Sequence, residues 1–238
     1  MSAAYAIARR ELLSFFFSPI AYVVMTLFLL VCGYLFRSDF TPGAPVGMRA
    51  IFEWMVWLLV FISPVLTMGL LSSEWDKGTI ETLMTAPVGE TSVVLGKFAG
   101  SFAFFVVLLV PTLLYVVLLS FFGTPEIGPL ASGYFGILLV GSLFTSIGLF
   151  CSALTRSQII AAVSAAGILF LITIVPAYAA GNTELGDWAR IFIRQMVFQR
   201  YSDFSRGVID LGHVAFFLAA TAVFLFLTIK VLESRRWK

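Results

Sequence analysis

The chain has 238 residues, 60% of them hydrophobic and only 12% charged, against roughly 25% charged in an ordinary soluble domain. That balance excludes a water-soluble globule and places most of the mass in lipid. A net charge of +2 is too small to mark a nucleic-acid binder, and the 25 phenylalanines suit a lipid-facing surface.

Residues 2–17 come first and end before Ser18-Pro19. They set Arg9, Arg10 and Glu11 among Tyr5, Ile7, Leu12, Leu13 and Phe15 to Phe17, a mixture that predicts a helix lying along the cytoplasmic interface with its bases near anionic headgroups. The alternative is an N-terminal extension of the first span. No cleavable signal peptide is expected, because charged residues precede the first apolar run and no convincing small-residue cleavage site follows it.

A bilayer core needs about 20 apolar residues in a helix. Six stretches meet or approach that length: 19–36, 51–71, 98–122, 133–154, 159–180 and 213–232. Their centres hold no Asp, Glu, Lys or Arg. The predicted fold is therefore all-α, with six transmembrane helices in one domain over 1–238 and both termini on one side. Cys32 and Cys151 lie inside apolar runs and read as small apolar side chains.

Orientation follows from the bases near the span ends. With the N-terminus inside, the inner segments hold Arg9, Arg10, Lys77, Lys97, Arg156, Lys230, Arg235, Arg236 and Lys238. The outer ones hold Arg37, Arg49, Arg190, Arg194, Arg200 and Arg206, of which four sit in one long segment. Both termini are thus expected in the cytoplasm. Within the spans, Pro64, Pro111 and Pro176 read as kinks. Gly96 with Gly100, Gly141 with Thr145, and Gly148 with Ser152 are small residues four apart, suited to close helix packing within the chain or to a seam between copies.

The inner loop between the second and third spans, Ser72 to Val88, holds the densest run of charges: Glu74, Asp76, Lys77 and Glu81. Gly78-Thr79 followed by Ile80, Leu83 and Met84 predicts a short amphipathic helix ended by Pro87. Such a helix, fixed to two spans, can transmit a push from a soluble partner; the alternative is a solvated loop. The outer segment 181–212 is too long for a simple turn. Trp188, Ile191, Phe192, Gln195 and Phe198 recur at helical spacing, with Phe204 beyond them, as an interfacial or re-entrant helix. It would close the outer mouth, bind an extracytoplasmic partner or serve as an anchor. His213, the single histidine, has no neighbouring Cys, His or paired carboxylate and reads as an interface residue.

Several of these segments resemble the ABC type-2 permeases, most closely their gliding-motility-associated branch. The residues are Glu74, Gly78-Thr79-Ile80-Glu81, Leu83, Thr85, Pro87-Val88 and Gly96-Lys97-Phe98. Glu11, Ser14-Phe15-Phe16, Ser18 to Tyr22, Gly133-Tyr134, Gly136, Ser152 to Thr155, Gln158, Phe204, Arg206 to Asp210, and Leu232-Glu233 with Arg235 to Trp237 complete it. Two positions depart from the pattern: Gly69 stands where a basic residue is expected, and Ser73 where a second acid is usual.

The resemblance implies a half-transporter in a bacterial inner membrane, assembled with two cytoplasmic ATPase subunits and a second permease copy, identical or similar. It makes 74–87 a coupling helix, in which Glu74, Asp76, Lys77, Gly78, Thr79, Ile80, Glu81, Leu83, Met84 and Pro87 meet the ATPase. It supplies a two-fold dimer, whose seam is expected at the first and fifth spans, where Ala161, Ala162, Ala165, Ala166 and Gly167 allow close approach. An extracytoplasmic auxiliary protein belongs to the same picture. ATP and Mg would be bound by the partner, since Gly96-Lys97 is followed by Phe98 and lacks the upstream glycine of a Walker A loop.

Three function classes compete. An intramembrane enzyme needs a Ser/His arrangement, paired Asp or a metal-ligand set at membrane depth, and the spans contain none of these. A secondary carrier or channel not driven by ATP commonly keeps ionisable groups in the bundle, and the span centres are empty of them. A permease driven through a charged loop fits both features, as an exporter or as a mechanotransmitter to an extracytoplasmic partner. Reporter fusions after Lys238 and within 72–95 are expected to read as cytoplasmic, and fusions near 40–48 and 182–187 as external. A cytoplasmic signal at 182–187 would break the six-span topology.

Overall fold

The computed structural model describes residues 3–39, 47–78, 89–122, 126–179 and 196–236. All regular structure among them is helical. Helix α1 (Ala3–Phe16) is separate from α2 (Pro19–Asp39), because the residue before a proline is pushed out of the helical region while proline itself suits a first helical position. The chain turns there through Ser18, whose N–H reaches the Phe15 carbonyl at 3.0 Å. A helix separate from the first span thus stands where the interfacial helix is expected.

Helices α3 (Arg49–Thr67) and α4 (Gly69–Asp76) form one long rod interrupted at Met68. The break has a visible cause. Ser152, from a distant helix, accepts hydrogen bonds from the backbone N–H groups of Leu71 and Ser72, both at 3.0 Å, and donates to the Met68 carbonyl at 2.8 Å. Its hydroxyl therefore sits inside the ladder bond that Ser72 would otherwise make to Met68, a recognised origin of helix bending. Pro64 lies one turn earlier, within α3.

Helix α5 (Glu90–Leu109) continues through a 3₁₀ turn at Val110–Thr112 into α6 (Leu113–Phe122). Pro111 sits in that turn, where its missing N–H removes a ladder bond. Helix α7 (Ile127–Leu154) is the axis of the bundle: 83% of its most apolar window is inside, against 22% for α2 and for the last helix, α10 (Leu211–Arg236). Helix α8 (Gln158–Ala179) contains Pro176, and α9 (Val197–Ser205) is a short helix on the bundle's far end. Gly207 follows α9 at φ +92°, the left-handed glycine that ends many helices, and the Asp210 carboxylate accepts the Gly212 N–H at 2.7 Å to start α10.

Among the described residues five helices are long and apolar enough to cross a membrane: Pro19–Ser38, Arg49–Asp76, Glu90–Phe121, Ile127–Leu154 and Leu211–Ser234; Gln158–Thr173 is a shorter apolar stretch within α8. The second and third spans run further than their apolar composition indicates, down to Asp76 and from Glu90. Each carries a helical extension with a charged side chain. The inner loop helix expected over 79–88 and the outer segment over 180–195 lie outside the described residues.

Lipid tails are as apolar as leucine, so packing has to hold such a bundle together. The main core runs through Phe28, Phe52, Met55, Phe144 and Phe217. A smaller one joins Leu70, Leu71, Val93, Val94, Leu149 and Leu232, with Ile7 and Phe15 against it. Because Ile7 and Leu232 share that cluster, both chain ends lie at the same end of the bundle. The glycine pairs serve these internal contacts. A Cβ on Gly96 would stand 2.8 Å from the Ala4 carbonyl oxygen, and one on Gly100 2.7 Å from the Ala8 oxygen, so α1 lies in a groove that only glycine leaves on α5. A Cβ on Gly148 would overlap the Thr67 hydroxyl beside the α3–α4 break.

Replacing Gly100 by leucine is expected to lift α1 from α5 and to cost about 1–3 kcal/mol by overpacking. Gly167→Leu, where a Cβ meets nothing within 4 Å, serves as the control. Thiol labelling of an Ala8→Cys probe, with Cys32 and Cys151 removed, should accelerate only with Gly100→Leu.

Candidate functional site

At the end of the bundle that carries both chain ends, three elements meet through charge. Lys97, two turns into α5, is 2% exposed along its side chain. Its Nζ donates to Glu11 Oε1 of α1 at 2.7 Å and lies 2.8 Å from Glu74 Oε1 of α4. Arg10 Nη2 closes the group at 3.2 Å from Glu74 and 3.4 Å from Glu11. Two positive and two negative charges thus balance, with Arg10 on the exposed side.

The local sequence explains the geometry. Gly96 and Gly100 flank Lys97 and admit α1, bringing Glu11 over the lysine. Phe15 stacks on Phe104 at 4.7 Å between centroids, which sets the far end of α1. Ser152 and Gly148 seat the start of α4 against α7, and Glu74 then falls within reach of Lys97. A buried ammonium loses several kcal/mol of hydration, recovered only through close, hydrogen-bonded partners. Lys97 has two carboxylates at less than 3 Å.

The position of this cluster gives it meaning. Glu74 lies just before the point where α4 ends, and α5 begins at Glu90, so the segment from Lys77 to Gly89 stands on two helices tied by one lysine. Asp76, Lys77 and Gly78 are exposed at its start, and Gly78 has φ +69° with open space where a Cβ would be. Gly78 is therefore there for its backbone conformation, which an L side chain rarely adopts.

The other candidate residues fall as follows. Glu74 is engaged within the chain, and its carboxylate is turned toward Lys97 and Arg10. Thr79, Ile80, Glu81, Leu83, Met84 and Pro87 lie outside the described residues, as do Trp188, Ile191 and Phe192. Arg9 is exposed on α1. Phe198 packs edge-on against Trp57 at 5.8 Å. Phe204 is fully buried over Gly136, with its carbonyl accepting from Ser132 Oγ at 2.8 Å. It pins α9 to α7. Beside it Tyr201 is fully buried, and that burial, with Glu53 near, holds its phenol well above the ordinary range. Ala161 and Ala165 are spent on packing inside the chain, Ala162 and Ala166 are half-buried, and Gly167 is exposed.

Lys97 and Ser152 were legible as residue types but not as a site. The one available signal was a lone lysine directly after a glycine and seven residues into a helix that otherwise reads as a span. Lys97→Met is expected to destabilise the protein by about 3 kcal/mol, the lower end for breaking a buried pair because Arg10 still meets both acids. Adding Glu11→Gln should then cost less than it does alone, since the two share one interaction. Thermal unfolding of the four species in lipid nanodiscs measures both.

Among curated proteins no match was found. A family described as "ABC-2 family transporter protein" matches residues 2–235. That span takes in α1, the ion cluster, the loop that stands on it and every membrane helix described above. A bundle of apolar helices matched from end to end in this way belongs to the ABC-2 family of transporter proteins.

Proposed function

We propose that the chain is the permease subunit of an ATP-binding cassette transporter, driven by a separate cytoplasmic ATPase that engages the segment 77–89. The observation that carries this reading is the ion cluster: Lys97 ties both arms of that segment to each other and to α1. A soluble subunit closing on ATP and Mg pushes the loop. The push enters α4, pivots at Met68 where Ser152 has replaced a ladder bond, and is shared with α5 and α1 by Glu74 and Glu11. The spans supply no ionisable relay of their own, so the work arrives through the loop.

In this reading both termini and the loop face the cytoplasm of a bacterial cell, and the assembly holds two ATPase subunits with two permease chains, identical or similar. The exposed side of α8 at Gly167, with the exposed side of α2, forms the seam between them. The cargo is exported, or the motion is passed to an extracytoplasmic partner over α9.

With the ATPase co-reconstituted, Gly78→Pro and Glu81→Lys are expected to abolish permease-stimulated ATP hydrolysis while insertion in the membrane stays intact. Proline cannot adopt the φ of +69° found at Gly78. Collapsing ion gradients with ionophores should leave activity unchanged. Normal stimulation in both variants removes the loop from the mechanism, and activity lost to ionophores alone moves the protein to the secondary carriers.

A further inference from the structure

A cavity of about 230 Å3 lies between the α1–α2 break, the α3–α4 break and the first turn of α8. A single water needs only about 10–15 Å3 of such space. The cavity is half-open to the surroundings, and Ser18 on its wall marks the start of the first span at Pro19. It therefore lies at the level where a bilayer changes from headgroups to tails.

Its polar wall consists of Glu11, Ser14, Ser18, Ser73 and Gln158, and its lining contains no Lys, Arg or His. Two of the hydroxyls already use their protons in hydrogen bonds within the chain. Ser14 Oγ donates to the Glu11 carbonyl at 2.8 Å, and Ser73 Oγ donates to the Gly69 carbonyl. A hydroxyl has one proton and two lone pairs, so both present acceptors to whatever occupies the space. The Glu11 carboxylate adds another, since Lys97 and Arg10 approach it at Oε1. The facing wall is apolar, with Phe15, Ile20, Val65 and Leu66, and Ile20 is exposed on α2. The Gln158 amide and the Ser18 hydroxyl can donate as well as accept, but the one charged group in the lining is the Glu11 carboxylate. A wall rich in acceptors facing hydrocarbon therefore calls for an amphiphile whose head carries N–H donors. A primary ammonium has three such donors and no acceptor, whereas an anionic head would meet a carboxylate.

We propose that this cavity seats the ammonium head of an amine-bearing membrane lipid, with its phosphodiester at the open mouth and its chains along Ile20 and Leu66. The lipid touches α1, α4 and α8 at once and shares Glu11 with the ion cluster. It wedges the elements that the cluster ties. The proposal rests on the membrane placement of α2 and not on ATPase coupling, so its test uses the full chain alone.

The chain is placed in phosphatidylcholine nanodiscs doped with photoactivatable phosphatidylethanolamine, phosphatidylglycerol or phosphatidylcholine, and crosslinked peptides are read by mass spectrometry. The ethanolamine lipid is expected to label residues 11–21, 65–73 and 158 about tenfold above the other two, the equivalent of one hydrogen bond to a charged group. Gly69→Leu should remove that preference, because a Cβ there meets only Gln158, at 3.9 Å, and the longer side chain enters the cavity. Should this variant fail to fold, the pair Ser14→Ala and Ser73→Ala leaves the space but deletes two acceptors, and is expected to lower the preference several-fold. Equal labelling by the three lipids, preference for the glycerol lipid, or a preference untouched by the variants overturns the proposal. Loss of label to excess soluble ethanolamine would assign the cavity to a free amine and overturn the lipid.

Discussion

A lysine ammonium that is 2% exposed, at the end of a helix bundle made mostly of hydrocarbon, is the constraint around which the rest is arranged. Uncompensated, it would be costly enough to drive the charge off the group or the group out of the structure. Two carboxylates from two other helices meet it at 2.7 and 2.8 Å, and Arg10 balances the second negative charge. Because the partners come from α1 and α4, satisfying one charge fixes three elements that share no local sequence. Much of the α1–α5 packing serves that end: the glycine groove, the stacked Phe15 and Phe104, and the break before Pro19 all place Glu11 where Lys97 needs it.

The break at Met68 is the complementary device. A hydroxyl placed within the helix ladder pairs the Leu71 and Ser72 N–H groups and the Met68 carbonyl where the rod is interrupted. Ser152 does this from α7, the most enclosed helix, so the pivot has a firm support. Gly148, one turn before Ser152, lets Thr67 come close enough for it. A rod that is stiff above and below a satisfied break transmits tilt without exposing an unpaired carbonyl to lipid. In the proposed permease this is how a push at the loop becomes a rotation of the second span.

The two ends of the bundle differ in kind. The far end is rich in aromatic rings, with Tyr201 and Phe204 sunk against Gly136 and Phe52 crossing Tyr134 at 5.0 Å, and its charged groups pair at the periphery, as Arg49 does with Glu53 and His213 with Asp203. It holds α9 as part of the core. The end with the chain termini is charged, jointed and flanked by a cavity that shares Glu11 with the ion cluster. Both helix breaks lie at this end, and an amphiphile in the cavity would act on them.

Runs of about 20 apolar residues determined that this is an all-α membrane protein, because a run of that length satisfies its backbone in lipid as a helix, whereas a barrel strand needs only about 9–11 residues. The same pattern also placed the long apolar helices, the interruption at Pro111 and the separate first helix, which follow from local rules about hydropathy and backbone freedom. What it did not reveal was the use of the small residues and the charges. Gly96 and Gly100 read equally well as a seam between copies, and only the fold shows α1 lying on them. Ser152 was a match to a pattern, and became a helix break only when α7 was set beside α4. Glu74 read as a contact for a partner and is held by Lys97, while Lys97 itself read as one more inner base. A hydropathy pattern reports each residue's preference for lipid or water one helix at a time. Which charge neutralises which across 86 residues of chain depends on how helices cross, and that is decided by the tertiary packing.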